Sequence, residues 1–321
     1  MNLTSPSQVK DWCISNGFHP NKVLGQNFLI DKNALDSILD AALIAPSVSS
    51  SSLPVQQTGN SPCHSVSKSS VFCAAGDSLP SAANSPLPSA HCQLPIKTLE
   101  IGPGLGVLTE GLLERGCAVT AIEKDPVLAD RLKESLGNPE RLAVLRGDAL
   151  DYIKDGACDG FPLMVSNLPY QAGTRILIEI IDRIGRFEAP ETIVVLVQTE
   201  VAERLAASEG SKVRGLAGVR VQFDYDVQIV RKVAASCFWP RPEIGSSVVR
   251  LVRHHRNDNA GEDVRKTFKW LTKRAFEHRR KQLGSTFKGL IESTARAEEL
   301  SNDDWLALSG AIGPMGKADA T

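Results

Sequence analysis

Thr98-Leu-Glu-Ile-Gly-Pro-Gly-Leu-Gly-Val-Leu-Thr109 is the stretch whose reading decides the fold. Leu99 and Ile101 predict a short buried strand, and the glycines after it predict a sharp turn that opens a helix. Gly102, Gly104 and Gly106 allow that turn and let a ligand approach the main chain where no Cβ intervenes. A strand, glycine turn and helix at the carboxyl edge of a parallel sheet is where open α/β folds bind nucleotides. The spacing departs from the dinucleotide fingerprint, because Val107 stands where its third small residue belongs.

Downstream of the turn the chain alternates strand and helix. Strands are predicted at 118–122, 142–145, 163–166, 192–198, 223–230 and 247–252, the last antiparallel to its predecessor. Helices are predicted at 107–115, 126–135, 174–184 and 201–207. Such alternation means a parallel sheet covered on both faces. Upstream, Leu35, Ile38, Leu39 and Ala42 share one face of a helix from about Lys32 to Leu43, with Asp31 as its N-cap. A short helix is predicted over 8–18.

Between Pro46 and Pro95 the character changes. This window holds 14 Ser and 7 Pro but only Lys68 and Asp77 as charges, and no apolar period survives in it. It is expected to be a flexible insertion. Its Cys63-His64, Cys73 and His91-Cys92 fit no zinc spacing, so no metal is expected. From about Asn257 the chain reads as helical and basic. The expected organisation is therefore an N-terminal segment 1–45, the insertion 46–96, a core 97–256 and a basic helical domain 257–321.

Composition bounds the function. A net charge of −1 over 321 residues gives no global sign of a nucleic-acid partner. No apolar run approaches the roughly 18 residues of a membrane span. The first residues lack the basic-then-apolar layout of a secretory signal. Seven scattered cysteines, none in C-x-x-C spacing, point to reduced thiols and a cytoplasmic protein. The average hides one strong asymmetry. Arg265 to Lys281 carries eight Lys/Arg against the single Glu277, so this run is the candidate phosphate-contacting surface. Phe268, Leu271, Ala275 and Phe276 are expected to pack inward and the cations to face out.

Acidic residues punctuate the strand ends. Glu123 lies about 20 residues past the turn, where α/β nucleotide folds place the carboxylate for ribose hydroxyls. Asp148 follows the next strand, positioned to accept from the exocyclic amine of a ligand base. The strand after that ends in Asn167-Leu-Pro-Tyr170. There the Asn167 side-chain oxygen and a rigid backbone carbonyl can accept both N–H bonds of an adenine amine, while Tyr170 stacks on a flipped base.

Leu24-Gly-Gln-Asn-Phe-Leu29, Glu100-Ile-Gly-Pro-Gly-Leu-Gly106, Glu123, Gly147-Asp-Ala149 and Asn167-Leu-Pro-Tyr170 together resemble the S-adenosylmethionine-dependent rRNA adenine N6-dimethyltransferases. Phe238-Trp-Pro-Arg-Pro242 with Ser246, and Phe276-Glu-His-Arg-Arg-Lys-Gln-Leu283, narrow the resemblance to the KsgA-type enzymes of the small subunit. It covers nearly the whole chain outside 46–95. The fold implied is α/β: a Rossmann-like class I methyltransferase sheet with a small C-terminal helical domain. The reaction implied is methyl transfer from S-adenosylmethionine to two adjacent adenosines near the 3′ end of 16S rRNA, with a role in small-subunit biogenesis.

The resemblance also implies roles. Gln26, Asn27 and Leu29 line the methionine end and cofactor entrance, with Gly102 and Gly104 against the methionine moiety. Glu123 takes the ribose and Asp148 the adenine. Asn167 holds the acceptor amine with the Leu168 carbonyl, Tyr170 stacks on the target base and Phe238 closes its far face. Phe28 fits either pocket. Arg274, Arg279, Arg280 and Lys281 grip 16S rRNA in the small ribosomal subunit. A monomer with no membrane partner and no metal is expected.

Two departures stand out. Lys212-Val-Arg-Gly-Leu-Ala-Gly218 lacks the serine of the family's corresponding run, and the 46–95 insertion replaces a short link. Lengthening a flexible loop costs only about 0.6 kcal/mol per doubling, so the fold is expected to survive it. A nicotinamide-linked dehydrogenase shares the sheet and Glu123 but leaves Asn167-Leu-Pro-Tyr170 and the basic run unexplained. A DNA adenine methylase shares the chemistry but needs a large target-recognition domain. The rival of another class is a ribosome-assembly factor whose binding outweighs its methylation.

Overall fold

The computed structural model describes residues 2–21, 24–44, 95–183 and 189–313. The serine- and proline-rich stretch, with Cys63, His64, Cys73, His91 and Cys92, falls outside the described residues. Helix α1 spans Pro6–Ser15, starting at a proline, which suits the first turn because no N–H is needed there. The two-residue strand β1, Phe28–Leu29, precedes α2, Lys32–Leu43. The Asp31 carboxylate caps α2 by accepting from the Ala34 N–H at 2.8 Å. Leu35, Ile38 and Leu39 are buried on its inner face.

Strand β2, Lys97–Ile101, leads into α3, Val107–Glu114, through the glycine turn. Then come β3 (Ala118–Glu123), α4 (Pro126–Ser135), β4 (Leu142–Arg146), α5 (Ala149–Lys154), β5 (Leu163–Asn167) and α6 (Gly173–Ile181). After them follow β6 (Thr192–Gln198), α7 (Thr199–Leu205), α8 (Leu216–Gln222), β7 (Tyr225–Val233), β8 (Phe238–Trp239) and β9 (Ser246–Arg253). Helices α9 (Glu262–Glu277), α10 (Leu283–Thr286) and α11 (Asn302–Ile312) close the described chain.

Seven of the described strands form one sheet in the order β4-β3-β2-β5-β6-β9-β7. The five on the β4 to β6 side are parallel, as the alternation requires. The expected antiparallel strand is β9. It does not simply fold back on β7 but inserts between β6 and β7, pairing with both. Strand alternation sorts the core onto two faces: Met164, Ile193 and Val195 on one, Val165, Val194 and Leu196 on the other.

The connections position the site. From β2 the chain winds outward to β3 and β4, then crosses back to the far side of β2 as β5. That reversal leaves a crevice at the carboxyl ends of β2 and β5. The β2–β5 register runs only through Thr98↔Leu163 and Leu99↔Met164. Beyond it the Ile101 N–H donates to the Ser166 hydroxyl at 2.9 Å, so a side chain replaces a ladder bond as the strands part.

Outside the large sheet, β1 and β8 form an antiparallel ribbon, Phe28 opposite Trp239 and Leu29 opposite Phe238. It fastens the N-terminal segment to the chain between β7 and β9. No sequence signal marked these two-residue strands, nor α5 and α8.

The C-terminal helices build their own small core, with Phe268, Leu271, Ala275 and Trp305 packed against Val219 and Phe223 of the α8 region. Here the expectation that the cations of the basic run face outward needs correction. The Arg265 side chain is only 10% exposed and meets Asp224, itself 7% exposed, with Nη1–Oδ2 at 3.0 Å. It also donates to the Asn257 carbonyl at 2.7 Å and lies 5.5 Å over the Phe223 ring. Arg265 faces inward because Asp224, at the start of β7, would otherwise be a buried charge without a counter-ion. The buried Arg214, in the run that lacks its serine, likewise donates to the Leu300 carbonyl at 2.6 Å and ties that loop to the helical region.

Removing one partner of a buried ion pair leaves the other uncompensated. Asp224→Ala is therefore expected to lower unfolding free energy by about 3–5 kcal/mol in denaturant melts. Lys266→Ala, which removes only the exposed contacts to Glu262 and Asp263, should stay within about 0.5 kcal/mol. Equal effects of the two would show that the buried pair does not dock the helices.

Candidate functional site

A cavity of about 350 Å³ opens at the crevice between β2 and β5. Its lining brings together Gln26, Asn27, Leu29, Gly102, Gly104, Glu123, Asp148, Asn167, Leu168 and Tyr170, residues from five separate stretches. The glycine turn forms one wall. Gly102, Gly104 and Gly106 all take positive φ, at 68°, 60° and 93°. At Gly104 space matters as well as φ, since a Cβ there would lie 3.1 Å from the Phe28 ring. Phe28, which the sequence left between two pockets, thus packs on the glycine-turn side.

Three carboxylates approach the cavity, each in a different environment. Glu123, at the end of β3, is 6% exposed. Its Oε2 accepts from the Gly104 N–H at 3.0 Å and its Oε1 from the Asp125 N–H at 2.8 Å. Burial raises its pKa while these N–H bonds oppose the rise. Each oxygen keeps a second lone pair for a ligand hydroxyl. Asp148 sits at the rim, where Oδ1 accepts from the Leu150 N–H at 2.9 Å and so caps α5. Its Oδ2 meets Lys124 Nζ at 2.8 Å.

The third carboxylate, Glu100, has no role in the sequence reading although it stands in the quoted strand. It is 1% exposed and lines the cavity. Its Oε2 accepts from the Thr109 hydroxyl at 2.7 Å, while Oε1 has no hydrogen-bond partner among the described residues. Burial pushes its pKa up to about 8. The available signal was a charge in the middle of a buried apolar strand, which costs free energy unless a partner is supplied. Lys124, Gln171 and Arg175 also line the cavity and were likewise not singled out.

The N-terminal segment closes the cavity from above through side-chain bonds. Gln26 Oε1 accepts from the Asn21 N–H at 2.7 Å, and its Nε2 donates to Asp125 Oδ2 at 2.8 Å. Asp125 in turn caps α4. Asn27 Nδ2 donates to the Gly25 carbonyl at 3.1 Å. The Leu29 side chain is 1% exposed and supports the wall from the core side.

At the end of β5, Asn167 Nδ2 donates to the Asn27 carbonyl at 3.0 Å. A carbonyl oxygen only accepts, so the amide is fixed with NH₂ toward Asn27 and Oδ1 remains as an acceptor. The Leu168 N–H donates to the Leu196 carbonyl at 3.2 Å, and its side chain is buried. Pro169 starts a turn whose carbonyl accepts from Gly173 at 2.7 Å, which aims the backbone of this loop. Tyr170, half-buried, shares a hydrogen bond with the Ser246 hydroxyl at 2.8 Å. That bond fixes the ring, and burial raises its phenol pKa.

Two sequence expectations need correction. Phe238 does not reach the cavity: it is 2% exposed and packs into the core with Leu29, Val165 and Leu196. Pairing of β8 with β1 decides this, since alternation turns Trp239 toward Phe28, stacked at 6.5 Å, and Phe238 inward. Arg279 is not a free surface cation either. It donates to the Lys212 carbonyl and lies 3.5 Å from Glu298. Arg274 is exposed beside Glu277 at 3.4 Å, while the exposed Arg280 and Lys281 have no ion pair among the described residues. None of these four lines the cavity.

A family model described as ribosomal RNA adenine dimethylase matches residues 88–304. The chain is 36% identical over 238 residues to a ribosomal RNA small subunit methyltransferase A of Synechocystis sp., covering 67% of this chain and 83% of that protein. A protein of the same description from Mycobacterium avium is 35% identical over 243 residues, 69% of this chain and 75% of that one. Among solved structures, a dimethyladenosine transferase from Plasmodium falciparum shares the fold with a TM-score of 0.57 at 22% identity. That likeness covers 66% of this chain and 87% of that one.

The Glu100 carboxyl yields a pH prediction. Its folded-state pKa is raised from 4.5 to about 8, so the folded state keeps a proton that the unfolded chain has already lost. Stability from this group is fully present below the unfolded pKa and is lost as pH rises through the folded one. Melting temperature should therefore fall between about pH 4.5 and about pH 8, and less in Glu100→Gln, which cannot ionise. Identical pH slopes in thermal scans of the two proteins would show that Glu100 is not held protonated.

Proposed function

The chain belongs to the ribosomal RNA adenine dimethylase family, and from that premise and the Asn167 turn we propose that it methylates N6 of two adjacent adenosines near the 3′ end of 16S rRNA. The methyl donor in this reading is S-adenosylmethionine and the product N6,N6-dimethyladenosine. The observation that carries the acceptor assignment is the Asn167–Asn27 bond, which leaves Asn167 Oδ1 as an acceptor beside Tyr170.

The cavity suits the donor on structural grounds. It has about 350 Å³ of room, a glycine turn that a Cβ at position 104 would crowd, and the buried Glu100 Oε1, which has no hydrogen-bond partner among the described residues. In this reading Glu123 accepts from ribose hydroxyls and Asp148 from the adenine amine. Gly102, Gly104, Gln26, Asn27 and Leu29 surround the methionine end. When bound, S-adenosylmethionine supplies an electrophilic methyl group on a sulfonium sulfur.

The chain's own residues then have to prepare a poor nucleophile, because the N6 lone pair of adenine is delocalised into the ring. Asn167 Oδ1 and the Leu168 carbonyl accept the two N6–H bonds, favouring a pyramidal nitrogen with a more localised lone pair. Tyr170 stacks on the flipped base, and its Ser246 bond keeps the ring from swinging away. Positioning and electrostatics supply the acceleration, and no general base is required. The alkylated nitrogen is acidic and releases its proton to water.

We assign methyl transfer to residues 1–45 with 97–256, and the rRNA grip to 257–321 through Arg274, Arg280 and Lys281. The Arg279 contribution is to hold the Lys212 loop against the helical region. We place the chain in the cytoplasm as a monomer; the described cysteines Cys13, Cys117, Cys158 and Cys237 are free thiols, in keeping with a reducing compartment. No described helix is long and apolar enough to cross a membrane.

The direct test is transfer of labelled methyl from S-adenosylmethionine to small ribosomal subunits lacking the modification, followed by nuclease digestion. N6,N6-dimethyladenosine at neighbouring positions is expected. Absence of incorporation by a protein that still binds the donor would favour the assembly-factor role instead. Asn167→Ala and Tyr170→Ala should each lower turnover by about 10²-fold or more while leaving donor affinity intact. Near-normal turnover in either would remove the acceptor assignment. For the RNA surface, joint Arg280→Glu and Lys281→Glu substitution should weaken rRNA binding and flatten its log–log salt dependence by about 2. An unchanged salt slope would place the RNA elsewhere.

A further inference from the structure

Lys124 stands between two carboxylates in sequence, Glu123 and Asp125, yet its ammonium meets neither of them in an ion pair among the described residues. The oxygens of Glu123 take the Gly104 and Asp125 N–H groups. Asp125 accepts from Val127 N–H and Gln26 Nε2. Lys124 Nζ instead crosses from the end of β3 to the end of β4 and reaches Asp148 Oδ2 at 2.8 Å.

The other Asp148 oxygen is already fixed, since Oδ1 accepts from the Leu150 N–H at 2.9 Å. The carboxylate is therefore held from both sides, by an amide on one oxygen and an ammonium on the other. Each oxygen retains a lone pair, and both residues line the cavity. Side-chain exposures of 60% and 32% put the pair at the rim, where an ion pair does little for folding. Its consequence is local: it decides which way a carboxylate points into the cavity.

We propose that Lys124 is a positioning residue for the adenine end of the methyl-donor site, holding Asp148 so that it accepts from a 6-amino purine and disfavours a 6-oxo purine. The inference rests on the assignment of Asp148 to the donor's adenine. A fixed carboxylate offers acceptors only: an exocyclic amine satisfies it, whereas an oxo oxygen in the same place meets like partial charge.

Other charges around Asp148 are compatible with this arrangement. Arg175 projects from α6 and also lines the cavity. Glu123 ends the neighbouring strand with both oxygens on backbone N–H groups. Arg146, on the strand leading to Asp148, lies 3.4 Å from Asp130, and Asp151 in α5 lies 3.6 Å from Lys154. The Lys124 hydrogen bond is the largest cause holding the Asp148 carboxyl below its ordinary pKa, with Arg175 adding a smaller pull. The acceptor thus stays ionised throughout the neutral range.

The test measures binding rather than turnover. Affinities of the full chain for S-adenosylhomocysteine and for S-inosylhomocysteine, which carries oxygen in place of the 6-amino group, are read by calorimetry. Lys124→Met keeps the apolar stem and removes the charge. It should weaken the adenosyl ligand by about tenfold and leave the inosyl ligand nearly unchanged, so the preference collapses. Lys124→Arg should retain the preference. If Lys124→Met weakens both ligands equally, or keeps the full preference, the positioning role is overturned. Asp148→Asn, which preserves the α5 cap, serves as the control. Loss of preference there with none in Lys124→Met overturns the Lys124 inference alone. A preference untouched in both variants overturns the placement of adenine at Asp148, and the inference with it.

Discussion

Three parallel strands ending at one edge, with β2 in the middle, constrain everything that this chain does. Because β3 leaves β2 on one side and β5 on the other, the helices that follow them cannot both cover the same carboxyl edge. The gap is widened where the Ser166 hydroxyl takes the Ile101 N–H in place of a strand carbonyl. Glu100, Glu123, Asp148 and Asn167 all reach the cavity because each sits at or just beyond the end of one of the strands β2 to β5. Parallel pairing is thus what turns residues scattered over about 70 positions into one site.

The N-terminal segment completes the wall of the crevice, with Phe28 and Leu29 packed against apolar neighbours and polar bonds setting its direction. Asn27 gives its carbonyl to Asn167, Gln26 bridges to Asp125, and the β1–β8 ribbon holds the segment from behind. The same bonds that seat the segment also orient the groups facing the ligand. Asn167 acquires its acceptor direction only because a backbone carbonyl from residue 27 occupies its donor side. A loop and a strand end are therefore a single functional unit, although 140 residues separate them.

Charge is divided between interior and surface by partner availability. In the basic run, Arg265 turns inward because Asp224 is buried there, and Arg279 turns toward the Lys212 loop, whereas Arg280 and Lys281 remain exposed. A count of cations along a helix overstates the surface offered to phosphates when some of them serve packing. In the cavity the opposite holds: the buried Glu100 has a hydroxyl on one oxygen and no partner among the described residues on the other, and burial raises its pKa to about 8.

Much of this was legible in the chain itself. The apolar strand with its glycine turn, the alternation that follows, and the acidic residues at successive strand ends determined an α/β sheet and part of the cavity lining. Those signals are local, because strand period, turn chemistry and capping depend on near neighbours: Asp31 capping α2 is one instance, and the Leu35, Ile38 and Leu39 face another. Tertiary structure alone decided the rest. Pairing of two-residue β1 with β8 buried Phe238 and sent Phe28 to the glycine turn, insertion of β9 between β6 and β7 set the sheet order, and Asp224 drew Arg265 inside. Each depends on a partner tens to hundreds of residues away, and a side chain's direction follows from the partner that it meets rather than from its neighbours in the chain.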